Sequence, residues 1–497
     1  MQHKLQGSLF YHKAMKRILT TALATLFAVT LLGQSPDDAC LFSQTFYQGT
    51  AKAMGMGNAL GAVGGDMTAV CINPAGMGIY RSDEVTATLN LLDNYQKSSY
   101  YGSDNDANKV RLSIPNIGWV HSKPRSNYKT VRFTQFGISL TRTNDYNKHT
   151  YAKGLNPISA RANNGIVPNQ LASIAPNDLP DDAWHMWQTY LIDDHFDSVY
   201  SYTSNVPQGN VWQANEEEFK GRSEEWSFTG SVNCAEKLFI GISLDITHFK
   251  RKGSRVYDES NQGASTDFVS WRSTEDISSS AIGFNAKVGL IYRANNWLRV
   301  GAAFHSPSFN AFDETRQTVT ESQLVTTGHT TYTGQENSYE YTFISPLKCV
   351  GSLAFVIGER GMIALDAEYT NYGAARFVAA KNDDYDYTPT NDAIKSNYRR
   401  TFNFRLGSEW QLGRSYLRLG AGYYGSPFGL GQTGGSIKKA SCGVSVPVSR
   451  HTTFDFAYEL AYGQAFTYLY DAGDLDLKPV TYRQFKNNLM VTLKVKY

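Results

Sequence analysis

The chain has 497 residues, a formal net charge of +2, 42 Gly, 31 Tyr and 13% aromatic residues. Near-neutrality excludes a nucleic-acid partner, which needs a concentrated basic face. The five cysteines, Cys40, Cys71, Cys234, Cys349 and Cys442, show no CxxC and no histidine spacing. That pattern argues against a metal centre, and the odd count prevents complete intramolecular pairing.

Residues 1–34 read as a signal-peptide region. Lys16-Arg17 precede the apolar run "ILTTALATLFAVTLLG", with Met15 as a candidate true start. Asp37-Asp38 separate that run from Cys40, which makes Cys40 a poor lipoprotein site. No later run approaches the roughly 20 apolar residues of a membrane helix. The chain is therefore expected to be exported and not held by helices.

Residues 35–83 form the next unit. Gly57, Gly61 and Gly65 recur every four positions, which on a helix makes one bare face for close backbone approach. Met54 and Met56 supply adaptable apolar filling. Pro74 stops a continuous helix, and Asn73 before it is biased to an extended conformation. A nucleotide loop is excluded, because there is no Gly-Lys-Ser/Thr and no preceding strand. The segment, with Ala75, is expected to be a compact plug inside a barrel, starting from the periplasmic side.

From residue 84 to 497 the pattern changes to period two. "NNLMVTLKVKY" sets Leu489, Val491, Leu493, Val495 and Tyr497 against Met490, Thr492, Lys494 and Lys496. Strands are expected near 84–92, 110–121, 132–142, 223–233, 238–249, 281–293, 297–305, 345–357, 361–372, 399–411, 415–424, 437–447, 451–462 and 486–497. Short turns alternate with long polar loops at 143–222, 250–280, 306–344, 373–398, 425–436 and 463–485. That asymmetry, an even strand number and aromatic strand ends define an all-β fold: a 14-stranded antiparallel transmembrane β-barrel with an N-terminal plug in its lumen. The inward face carries Asp245, Lys287, Arg299, Asp366, Glu368, Arg405, Glu409, Arg418, Asp455 and Glu459, charges of both signs that line a hydrated lumen or pair with a plug.

Two places stand out as functional. Loop 143–222 contains "LPDDAWHMWQTYLIDDHF", an amphipathic candidate helix. Its Trp184, Met186, Trp187, Tyr190 and Leu191 are expected to form a ligand-capture surface. In "VRLSIPNIGWV" the apolar parity switches at Pro115-Asn116, from Leu112 and Ile114 to Ile117 and Trp119. Such a switch requires a bulge, and Pro115 cannot donate to a ladder. With Gly137 on the third strand, this marks a candidate lateral exit through the wall. No residue set with catalytic or metal-binding spacing emerges, and His248 and His305 are isolated.

The run "GMGNALGAVGGDMTAVCINPAG" with Asn73-Pro74-Ala75 resembles the FadL-type outer-membrane transporters, the hydrophobic-compound channels that include toluene-type transporters. "LRVGAAFHSPSF" (298–309), "ALDAEYTNYG" (364–373) and "FRLGSEWQLGRSYLRLGAGYYGSPF" (404–428) are similar to that family's later strands. The resemblance spans 45–497 with divergent loops. It implies a plugged barrel in the outer membrane of a Gram-negative bacterium. Passive uptake of hydrophobic molecules such as long-chain fatty acids would end in lateral release beside an inward kink of the third strand. No cofactor, no enzymatic activity and a monomer are expected. The partners are the apolar ligand, outer-membrane lipid and the barrel-insertion machinery. A haem receptor, with His185, His195 and Met186 in the capture loop, and an adhesin or structural barrel are the alternatives.

Overall fold

The computed structural model describes residues 34–497 apart from 126–129, 166–170, 172, 264–265, 382–384, 430–433 and 471–476. The expected signal segment and Met15 lie outside the described residues. Fourteen strands build the wall: β1 (Glu84–Tyr100), β2 (Ser103–Pro124), β3 (Val131–Asp145), β4 (Val211–Cys234), β5 (Leu238–Asn261), β6 (Phe268–Arg293), β7 (Leu298–His305), β8 (Lys348–Ile357), β9 (Gly361–Asn371), β10 (Arg400–Leu412), β11 (Ser415–Tyr424), β12 (Ile437–Pro447), β13 (Thr452–Thr467) and β14 (Val480–Lys496). Each pairs antiparallel with its neighbours in sequence. The ring closes where β1 pairs with β14, from Glu84↔Lys496 to Ser99↔Thr481. Closure at β1 and β14 removes the free first and last edges of the sheet, which is why a sheet can cross a membrane in this form.

The period-two pattern sorts the faces. Leu89, Ile242, Leu244, Phe284, Phe404 and Leu489 stand exposed on the outside, whereas Asp245, Asp366, Arg405 and Asp455 are buried inside. Trp119 Nε1 donates to Tyr497 Oη at 2.8 Å at the short-turn end, one point of an interfacial aromatic girdle.

All fourteen wall strands fall where alternation predicts them, but several run further. β1 continues to Tyr100, and the segment 250–280 is mostly the hairpin of β5 and β6. A strand at 309–324 continues the pairing along β6 after a break at 306–308. Beyond the bilayer both faces of a strand meet water, so the apolar alternation fades while the ladder persists. Not every connection at this end is long. β1 and β2 are joined by Tyr101 (φ 44°) and Gly102 (φ 81°), a two-residue hairpin turn.

The N-terminal segment contains α1 (Pro36–Ser43), α2 (Ala51–Gly55), α3 (Met67–Ile72) and a 3₁₀ turn at Pro74–Ile79. The expected helical glycine face is corrected here. α2 ends at Gly55, and Gly57 and Gly65 take left-handed φ of 59° and 63° in turns that side chains resist. Close approach to the wall is real but is made by those turns. A Cβ on Gly57 would lie 2.9 Å from the Ala421 backbone, and one on Gly61 2.1 Å from Ser352 Oγ. The starting point is also corrected. α1 packs beside Phe249 and Phe312, in the half of the barrel that carries the long connections. The chain then descends to the short-turn end, where residues 74–79 lie against β4, β5 and β6.

Candidate transport path

Between Tyr47 and Ile79 the segment is tied to the wall on many sides. Ala51 N donates to Thr492 Oγ1 at 2.7 Å, Gly61 N to Asp366 Oδ2 at 3.0 Å, and Gln135 Nε2 to Gly78 O at 3.2 Å. His305, isolated in sequence, has its Nε2 2.9 Å from Ile72 O. Lys494 Nζ lies 3.3 Å from Asp66 and 2.7 Å from Asp455. These partners sit on β14, β9, β3 and β7, so the contacts encircle the segment. Asn73 explains the Asn-Pro-Ala motif. Its Oδ1 accepts from Ala75 N at 3.1 Å, and its Nδ2 donates to Gly61 O at 2.7 Å and to Leu290 O at 3.1 Å. Pro74 fills the first position of the turn, where no N–H is needed. Met54 packs with Ala457 and Met490, Met56 joins the cluster of Leu60 and Val350, and Ala75 meets Phe239 and Ile291. Most of the inward charges pair along the wall. Arg405 lies 3.0 Å from Glu368, and Arg418 lies 2.6 Å from Glu409 and 3.0 Å from Asp455.

Above this region the interior becomes aromatic. Phe42 of α1 stacks on Phe312 at 4.6 Å and meets Phe249 and Phe343 edge-on at 5.0 and 5.5 Å. Tyr341, Phe377, Tyr387 and Tyr398 extend the cluster. Guanidinium groups stand beside it. Asp38 is 3.3 Å from Arg316 and 4.0 Å from Arg251. Burial opposes ionisation of Asp38, but Arg316, Arg255 and Arg251 outweigh it and hold the carboxyl at about 2. This aromatic cluster with its neighbouring guanidinium groups was not visible in sequence, because 306–344 reads as a polar loop. The available signal was the parity that sets outward Phe309 and Ala311 against inward Phe312 and Glu314, and the later Tyr339, Tyr341 and Phe343 on one face.

The described residues between 157 and 206 fold as a cap over the extended wall. α4 (Asp181–Gln188) stops short of the predicted helix, because Tyr190 turns the chain with φ of 57°. A hairpin of 192–197 and 199–204 follows. The expected five-residue capture surface is corrected. Met186 and Leu191 are buried in the cap core with Tyr257, Phe268, Trp271 and Leu324. Trp184 and Trp187 are half-buried and stacked at 5.1 Å, their indole N–H groups donating to Tyr332 Oη and Asp194 Oδ1, each at 2.9 Å. Only Tyr190 is exposed, at 49%. His185 is buried, with Nδ1 3.2 Å from Thr320 Oγ1. Burial, opposed by Asp182 and Asp181, lowers its pKa.

The wall is discontinuous between β2 and β3. Leu112, Ile114, Ile117 and Trp119 all face outward, so the parity switch at Pro115-Asn116 is a bulge. The β1–β2 register shifts there, opposite Thr88–Asn90. The β2–β3 ladder runs from Pro124↔Phe133 to Asn116↔Thr141 and ends. Beyond it, the carbonyls of Arg142 and Thr143 accept instead from Gln48 N (2.9 Å) and Phe46 N (2.7 Å) of the N-terminal segment. A polar group stands at the break. Arg142 lies 3.1 Å from Asp145 and 3.2 Å from Glu224, and Arg111 donates to Asn147 Oδ1 at 2.5 Å. Gly137 does not border this break. It pairs with Val120 and Thr229 inside an intact ladder, and a Cβ there would strike Met77 Cε at 2.5 Å. The irregularity of β3 lies instead at Arg142–Asn144, where its register with β4 shifts.

No family model matches the sequence, and no curated protein is similar to it. Solved structures are similar in fold. The P. putida toluene transporter TodX matches with a TM-score of 0.54 at 11% identity, over 92% of this chain and 99% of that one. A Pseudomonas aeruginosa FadL homologue matches with a TM-score of 0.58 at 12% identity, over 91% and 99%. The Ralstonia pickettii toluene transporter TbuX matches with a TM-score of 0.53 at 14% identity, over 92% and 100%. At such identities the likeness establishes the fold, a closed 14-stranded transmembrane barrel of the FadL/TodX type.

Proposed function

We propose that the protein is an outer-membrane channel for passive uptake of hydrophobic small molecules, with long-chain fatty acids as the default cargo. The cap, with Trp184, Trp187 and Tyr190, receives the ligand. The aromatic cluster around Phe42 takes its chain, and Arg251, Arg255 and Arg316 suit a carboxylate head. Residues 47–79 act as the plug that blocks a straight path to the periplasm. The cargo leaves sideways through the break between β2 and β3.

The observation that carries this reading is the end of the β2–β3 ladder at Pro115-Asn116, at mid-wall rather than at a strand end. An otherwise closed barrel forgoes backbone hydrogen bonds there, and each unsatisfied group is expensive beside lipid. The aligned barrels named as toluene transporters and a FadL homologue support the cargo class. The test bridges the break. Cysteines replacing Arg111 and Asn147 are joined by a short, reductively cleavable thiol crosslinker, and uptake of a labelled long-chain fatty acid is followed. Uptake should fall about tenfold or more, as expected when a route is shut, and return on reduction. Unchanged uptake in the crosslinked protein rejects the lateral exit.

A further inference from the structure

We infer that the outer surface of β4 and β5 binds the phosphate groups of an anionic membrane lipid in the extracellular leaflet. On this surface Lys220 lies directly across the ladder from Lys252, and Arg222 across from Lys250. Like charges placed directly opposite on one face of a sheet destabilise it. Here two such pairs occupy consecutive rows. Lys220, Lys250 and Lys252 are exposed, and the Arg222 side chain is 40% exposed.

Acids border the group on both sides: Asp145 lies across from Arg222 but is 3.1 Å from Arg142, and exposed Asp313 and Asp276 stand on the outward face beyond Ser280 and Ser278. Glu218, the nearest acid along β4, is 2.8 Å from Lys109. Glu224 is 2.8 Å from Arg222 but also 3.2 Å from Arg142. Next to the cations, β6 sets Ser280 opposite Lys250 and Ser278 opposite Lys252, adding hydroxyl donors. Three exposed lysines and two hydroxyls, with the part-exposed Arg222 beside them already paired with Glu224, offer donors to phosphate oxygens on three adjacent strands.

Its position selects the source of the phosphate. The same face continues toward the short-turn end as Trp226, Phe228, Leu244, Ile246, Ile282 and Phe284, all exposed. From Leu238 to Thr247 this apolar wall is about as long as a bilayer-crossing strand needs to be. The cations therefore stand at the headgroup level, directly above the surface that contacts acyl chains. A soluble anion would use only the upper part. A phosphate-bearing lipid matches both parts at once, and juxtamembrane basic clusters attract anionic headgroups in this way.

The test uses the purified full-length protein in detergent, with native mass spectrometry reading retained lipid. The probes are lipid A carrying its phosphates, the same lipid dephosphorylated, and phosphatidylcholine. The phosphorylated lipid should be retained most strongly. Its apparent affinity should fall at least about tenfold in K220Q/K250Q/K252Q, given the usual contribution of each basic residue. The dephosphorylated lipid should bind both proteins equally weakly. Excess inorganic phosphate should not displace the lipid; displacement would mean that the surface serves a free anion and would overturn the lipid assignment. Equal retention by wild type and variant would overturn it too. The substitutions remove repulsion, so the barrel should fold. If the triple variant does not, K252Q alone and the salt dependence of wild-type retention decide, and retention indifferent to both overturns the inference.

Discussion

The N-terminal segment has two parts that meet the same barrel in opposite ways. From Tyr47 to Ile79 it is held by backbone and buried polar side chains: Gly61 N to Asp366, Asn73 to Leu290 O, His305 to Ile72 O and Lys494 to Asp66. From Gln34 to Phe46 the Phe42 ring sits in an aromatic cage and Asp38 among guanidinium groups, with hydrogen bonds from Tyr387 to Gln34, from Tyr398 to Asp37 and from Phe46 N to Thr143 O. Buried polar contacts fix one geometry, because each group left unpaired is costly. Aromatic surface is less exacting, and an apolar ligand can replace it. The first part has the character of a seal and the second of a removable occupant. Substitutions in the two parts should separate effects on the barrel from effects on ligand.

The largest effect is expected for Gly57→Val. The residue sits at φ 59° with wall backbone 2.9 Å from its would-be Cβ. A left-handed β-branched residue and a steric clash together cost about 4 kcal/mol. The plug should unseat, single-channel conductance should rise, and the heat-resistant folded band should be lost at lower temperature. Lys494→Met should follow, at about 3 kcal/mol, because Asp66 keeps only Thr50 Oγ1 and Thr68 N as partners. Asp66→Asn in the same chain should recover much of that loss. Thermal unfolding of the two variants against wild type checks the pair, and equal midpoints for Lys494→Met and wild type would contradict the seal.

Sequence reading reached the wall more fully than the path. In "RTFNFRLGSEW" the outward Phe402, Phe404 and Leu406 and the inward Asn403, Arg405 and Glu409 are all as alternation demands, because lipid and lumen impose opposite solvents on adjacent residues. Pro115 was legible for the same reason, since a parity switch has no other simple cause. Gly137 was not the partner of that break, because a glycine in a strand also serves close packing, here against Met77. Met186 and Leu191 point into a core that the cap shares with distant Trp271 and Leu324, so a local amphipathic pattern could not tell a capture face from a packing face. The cluster around Phe42 joins α1 to β5, the 309–344 hairpin and the 376–398 connection, contacts that no local period encodes.

Phe42→Ala tests the second part. Truncating a partly buried phenylalanine costs less than the about 3 kcal/mol of a fully buried one, and the loss falls on the docking of α1 onto an already closed ring. Local opening of this kind need not lower global stability. The barrel midpoint should hold while residues 34–46 become protease-sensitive and affinity for a long-chain fatty acid rises. A fall in the barrel midpoint equal to that of Gly57→Val would erase the distinction between the two parts.

The smallest effect concerns Asp38 and pH. Arg316, Arg255 and Arg251 overcome the cost of burial and hold its carboxyl at about 2, below the ordinary 3.8. A carboxylate with a depressed folded-state pKa stabilises above its unfolded pKa and loses that contribution as pH falls through the folded one. The docking of α1 should therefore be constant from neutral pH down to roughly 4 and weaken only between there and about 2. Protonation of Asp38 removes the ion pair that ties Arg316 to the helix. Hydrogen exchange of the 36–43 amides, corrected for the intrinsic pH dependence of exchange, reads this directly. Wild type should show a plateau and then a step. Asp38→Asn should show lower protection at every pH and no step, because its side chain does not titrate. A step at the same pH in Asp38→Asn would assign the latch to another acid, such as Asp37, whose Oδ1 accepts from Tyr398 Oη at 2.7 Å on the other side of α1.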